Sequence, residues 1–271
     1  MLGRAIKMAF WVIYDHIGKL MLANLLWSMI VMVPLSLGGA VFWGRDPGLW
    51  ALVGAPALLI AVGVALPVAT AGLAHMIKEL IDTRDGAVRT MLAGMRQYGI
   101  RAMAIGLIYV AGVTALATSV WFYARAFEGA WAWMGYVLSG LALWCLLFAA
   151  LMALMVFPTL VQKRGSVGET IRLTALIVAG NPLLILGVGV QVACLAILSV
   201  IAAPMLFLFL GAWSMVLAST AFELLARKYA SAAMSANASL GAERTAKPFP
   251  DDAEDDYLNR GIRDFLFPWK G

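Results

Sequence analysis

From Leu173 to Phe222 the chain runs for 50 residues without a formally charged side chain. No water-facing surface is built from such a run, whereas about 20 apolar residues suffice for a helix to cross about 30 Å of hydrocarbon. The run is too long for one crossing and fits two, with a tight turn near Ala202-Ala203-Pro204. Charged residues punctuate the rest of the chain in the same way. Leu20 to Gly44 is uncharged, as is Pro47 to Ile77, which contains Pro56 and Pro67. Arg101 and Arg125 bracket a third stretch, and Glu128 and Lys163 a fourth.

Composition agrees. Of the 271 residues 63% are hydrophobic and 13% charged, about half the charge of an ordinary soluble domain. A soluble domain is excluded on that ground, and two cysteines are too few for an extracellular disulfide scaffold. The expected fold is all-α: a polytopic transmembrane helical bundle with spans near 20–43, 49–77, 102–124, 131–161, 182–202 and 205–226. Hydrocarbon offers no hydrogen-bond partners, so each span must satisfy its own backbone. A β-barrel needs alternating segments, and the run 141–157 does not alternate.

Eighteen of the twenty Lys and Arg residues then fall on one side, with only Arg45 and Arg125 opposite. The positive-inside rule places both termini in the cytoplasm. Trp43, Trp50, Trp121, Trp131, Trp133 and Tyr136 flank the opposite loops as an interfacial aromatic belt. The basic residues lie beside span ends, where they meet anionic headgroups; they form no aromatic-interleaved strip suited to nucleic acid.

Residues 1–19 read as an interfacial helix, with Ile6, Phe10, Ile13 and Ile17 near one face. Leu20 onward reads as a retained span rather than the core of a signal peptide. Gly86–Arg101 is a second amphipathic candidate. A third starts at the capping pattern Ser166-Val-Gly-Glu169 and stops at Gly180-Asn181-Pro182. A unit of span, basic helix and span thus occurs twice, with Gly86 and Gly165 in corresponding places. Both a transporter-type repeat and simple reuse of a stable hairpin fit this pattern.

Several of these residues together resemble the YesL family of bacterial membrane proteins. They are Ala23-Asn-Leu-Leu-Trp27 with Pro34, Pro67-Val-Ala-Thr-Ala71, Phe157-Pro158-Thr159-Leu160 and Asn181-Pro182. The resemblance covers roughly residues 5–228. It implies an integral protein of the bacterial inner membrane, of unassigned activity, often encoded beside carbohydrate ABC-transporter parts. It supplies no catalytic residues.

Within the spans the polar residues are few. Asn24 can hydrogen-bond across helices. Pro67 can kink the second span and free a carbonyl for Thr70 or a neighbouring helix. Gln191 is the most polar point of the fifth span, suited to an interhelical bond or a polar path. Ala69, Ala71, Gly72 and Ala74 allow close helix approach. His16 and His75 lie at membrane borders, and Cys145 and Cys194 sit mid-span as small hydrophobes. No motif for hydrolase, nucleotide or zinc chemistry is present. The expectation is therefore a non-enzyme with no cofactor, metal or catalytic set.

Residues 229–271 read as a linker and tail: a small, polar stretch, the acidic cluster Asp251-Asp-Ala-Glu-Asp-Asp256, and a short helical stripe of Leu258, Ile262, Phe265 and Leu266 beyond it. Ile262, Phe265, Leu266 and Trp269 are candidate anchors for docking a partner; a solvated tail that dips into the bilayer interface fits equally. Two functions are compatible with the whole: an accessory or structural subunit of a larger membrane assembly, with the bilayer and other membrane subunits as partners, or a small-solute transporter or channel.

Overall fold

The computed structural model describes residues 1–44, 46–127, 131–163, 165–239 and 256–260. The protein is an all-α bundle with six helices long and apolar enough to cross a membrane. The anchors Ile262, Phe265, Leu266 and Trp269 lie outside the described residues.

The first helix, α1 (Leu2–Trp43), joins the expected interfacial segment to the first span as one element, bent where His16 leaves helical geometry (φ −124°, ψ 22°). The next, α2 (Pro47–Thr83), contains two π-helical turns, Trp50–Gly54 and Ala61–Ala65. It ends at Arg84, whose φ of 61° makes it the one non-glycine residue in the left-handed region among the described residues.

Helix α3 (Val88–Ala126) has 39 residues, about 58 Å at 1.5 Å each. The sequence suggests a separate interfacial helix over 86–101. Instead the backbone continues unbroken into the span, because no proline interrupts it. Nearly half of α3 therefore extends past the hydrocarbon thickness.

Helix α4 (Ala132–Lys163) leads to α5 (Val167–Gly180). There Ser166 Oγ accepts from the Glu169 N–H at 3.3 Å, satisfying one of the orphan donors of the first turn. Helix α6 (Pro182–Ile201) is followed by the short turn Ala203–Met205 and a π-helical segment, Leu206–Leu210, which opens α7 (Gly211–Ser239). A last turn, α8 (Asp256–Asn259), lies against α1.

The tightest packing joins α2 to α3. Ala69, Ala71 and Ala74 are buried. A Cβ on Gly72 would stand 2.4 Å from Met95 Cγ and 2.7 Å from the Met91 carbonyl. One on Gly94 would meet His75 Cβ at 2.6 Å. Without a hydrophobic drive between helices in lipid, such small-residue contacts let backbones approach and gain dispersion. The α4 contacts to α3 are polar as well: Tyr98 donates to the Val161 carbonyl at 3.3 Å, and Ser139 to the Val120 carbonyl at 3.0 Å. Large apolar side chains such as Leu52, Leu183 and Ile201 point outward, each more than three-quarters exposed. That envelope is suited to lipid rather than water.

Candidate functional site: a polar knot within the spans

The first and last spans meet at Asn24, which is fully buried. Its Nδ2 donates to the Phe207 carbonyl at 2.8 Å, and its Oδ1 accepts from the Ala212 N–H at 2.7 Å. In a π-helical turn, residue 212 would donate to residue 207 within its own helix. The Asn24 carboxamide stands between these two groups and satisfies both. Ser28, one turn along α1, also donates to the Phe207 carbonyl at 3.3 Å. Pro204 just upstream has no N–H to give, which favours an irregular start to the last span.

Gly211 makes room for this arrangement. A Cβ there would lie 2.9 Å from Asn24 Oδ1 and 2.8 Å from Trp27 Cδ2. Trp27 carries the network to α2: its Nε1 donates to Thr70 Oγ1 at 3.0 Å, and Thr70 donates to the Leu66 carbonyl at 2.6 Å.

Pro67 sits beside this point and cannot donate to the Gly63 carbonyl four residues back. The preceding turn is π-helical, the Leu66 N–H reaching the Ala61 carbonyl. Thr70 bonds to Leu66, not to the carbonyl that Pro67 frees. That carbonyl faces Gly106 of α3, where a Cβ would stand 2.5 Å from Gly63 O and 2.3 Å from Pro67 Cγ. A glycine Cα–H is the only group that fits against it.

The structure therefore brings Asn24, Pro67 and Thr70 into one neighbourhood spanning α1, α2 and the start of α7. Gln191 is elsewhere, half-buried on α6, and takes no part in these hydrogen bonds. Sequence reasoning missed Trp27, Ser28 and Gly211. The only available signal was the i, i+3, i+4 spacing of residues 24, 27 and 28, which places them on one helix face. Cys145 and Cys194 are both exposed and free.

A second polar group lies at the basic end of the bundle. Lys78 and Asp82 pair at 3.8 Å on α2, and Arg227 and Glu223 at 3.1 Å on α7. Between them is a cavity of about 10 Å³ lined also by Pro158, Gln162 and Ser219, room for a single water. Burial holds the Asp82 carboxyl above its ordinary range; Lys78 opposes this, while Glu223 and Glu79 add to it. Nearby, a groove of about 710 Å³ runs between α4, α5 and α7, lined by Lys163, Leu176, Phe222 and Tyr229 among others. Among the described residues no three His, Cys, Asp or Glu side chains come together as a metal site would require.

No family model, curated protein or solved structure matches the chain.

Proposed function

We propose that this integral membrane protein is a non-enzymatic accessory or structural subunit of a larger bacterial membrane assembly, with both termini in the cytoplasm. One observation carries the reading: the in-span polar groups at Asn24, Ser28, Trp27 and Thr70 are spent on joining α1, α2 and α7. Polar side chains used in this way fix a scaffold and leave the outer helix faces apolar for lipid and neighbouring subunits. The one-sided distribution of Lys and Arg supports the orientation. The resemblance to YesL proteins supports a bacterial inner-membrane setting near carbohydrate ABC uptake, by association alone.

The test is affinity purification in mild detergent with quantitative mass spectrometry, comparing the full chain with one lacking residues 245–271. Co-purifying membrane proteins that fall several-fold on truncation support the reading and assign the docking role to the tail. A full chain that purifies alone contradicts it.

A small-solute transporter or channel is the second reading. It is favoured by the three π-helical turns near Pro56, Pro67 and Pro204, since interrupted spans commonly mark substrate paths. Solute-selective flux through liposomes holding the purified chain would favour it over the scaffold.

A further inference from the structure

We propose that residues 256–260 form a latch that docks on the first half of α1 at neutral pH and releases when His16 takes up a proton. The inference goes beyond the subunit reading and does not depend on it.

Docking is built from both ends of the chain. Lys7 Nζ donates to the Leu258 carbonyl at 2.6 Å. The Arg260 guanidinium reaches Asp15 Oδ2 at 2.5 Å and lies 5.3 Å from the Trp11 ring centre and 5.6 Å from that of Tyr257. Lys7, Trp11 and Asp15 follow one another at four-residue intervals, so they line a single face. The Tyr257 ring is buried, with the Arg84 guanidinium 5.1 Å from its centre. A left-handed backbone is unfavourable at a non-glycine residue. At Arg84 it coincides with this stacking contact, which adds to the contacts holding the turn.

His16 is the titratable group at the centre of this region. It sits at the bend of α1, immediately after Asp15. Its Nε2 is buried and has no hydrogen-bond partner among the described residues. The charges that act on it are Lys19 and Asp15 from α1, Arg84 from the end of α2, and Arg260 from the latch. Asp85, 4.0 Å from Lys19, is the remaining acidic group there. A proton on His16 adds a cation among three others, facing a carboxylate already engaged by Arg260. Burial first, then Lys19, holds the imidazole below its ordinary value; Asp15 opposes this, and Arg84 and Arg260 add to it. Of these charges Arg260 belongs to the latch and already occupies the Asp15 carboxylate, so docking favours neutral His16. Docking is complete above the ordinary histidine range and weakens as pH falls through it.

The 16 residues from 240 to 255 reach at most about 55 Å, enough to offer the latch to a second copy, and the test separates that outcome.

Full-length protein carrying a benzophenone amino acid in place of Leu258 is reconstituted in lipid nanodiscs, irradiated, and its adducts mapped by mass spectrometry. At about pH 7.5 the expected adducts are to residues 2–15 of the same chain. They should fall several-fold at about pH 5.5, and this fall should vanish in both His16→Gln and His16→Asn. Asp15→Arg and Arg260→Asp should each lower the yield at the higher pH, and the two together should restore much of it. Absent adducts in protein that elutes as a folded species, adducts joining two copies, or a pH response that persists in both His16 variants would each overturn the proposal.

Discussion

Asn24 and Ala212 are 188 residues apart in the chain, yet the Ala212 N–H donates to Asn24 Oδ1 at 2.7 Å inside the bundle. One side-chain amide thereby replaces a backbone hydrogen bond of the last span and ties it to the first.

Replacing Asn24 by leucine removes both the donor to Phe207 and the acceptor for Ala212 at a fully buried position. Leaving buried backbone groups without partners costs about 1–3 kcal/mol, and interhelical bonds in membranes contribute about 0.6–2 kcal/mol. Equilibrium unfolding in mixed micelles should show a loss of about 1–3 kcal/mol for Asn24→Leu. Ser28→Ala should lose less, since Ser28 only shares the Phe207 carbonyl.

Gly211→Ala tests the same knot by shape rather than by hydrogen bonding. Its new methyl would press on Asn24 Oδ1 and the Trp27 ring, and overpacking of this kind costs about 1–3 kcal/mol. In the double variant with Asn24→Ala the cost should shrink, because one of the two obstructing groups is gone. Additive losses in that cycle would contradict the contact.

Gly106→Ala should weaken α2–α3 packing more than Gly112→Ala. At Gly106 the methyl meets the proline ring and the Gly63 carbonyl, neither of which can swing aside, whereas Gly112 has nothing within 4 Å of a Cβ. Thermal denaturation of the two variants side by side reads the difference directly.

Asp82 supplies a pH dependence. Its carboxyl lies above the ordinary range when folded, so the folded state binds that proton more tightly than the unfolded one. The resulting stabilisation is present at low pH and is lost as pH rises from about 4 through the raised value. Asp82→Asn should flatten the fall in stability as pH rises from about 4, measured by unfolding across a pH series. An unchanged slope would show that Asp82 titrates normally.

The first four spans were legible because charge spacing delimits them, as it does the uncharged stretch 20–44, and the last two because a 50-residue uncharged run fits two crossings. The sequence also marks Asn24, Pro67 and Thr70 as polar or irregular points in apolar runs. It does not mark their partners. Phe207 and Ala212 act through backbone groups, and a π-helical turn has no side-chain signature. Gly211 looks like any small residue until the Trp27 ring is placed against it. The bend at His16 is unsignalled, since no proline is near. In the tail, the apolar stripe marks Leu258, Ile262, Phe265 and Leu266, of which Leu258 lies within the described residues. Leu258 and Arg260 are docked on α1 residues 251 and 245 positions away, and Tyr257 stacks with Arg84 at the end of α2; no local pattern points to these partners.

The bond between Asn24 and Ala212 carries the account, and nuclear magnetic resonance of the Ala212 amide in lipid nanodiscs measures it most directly. With the resonance assigned by its loss in Ala212→Ser, the amide proton should lie downfield in the native chain, as a short hydrogen bond requires. It should move upfield in Asn24→Leu, while amides in α3 stay in place. An Ala212 resonance that keeps its position in Asn24→Leu would contradict the insertion of Asn24 into the last span and the scaffold reading built on it.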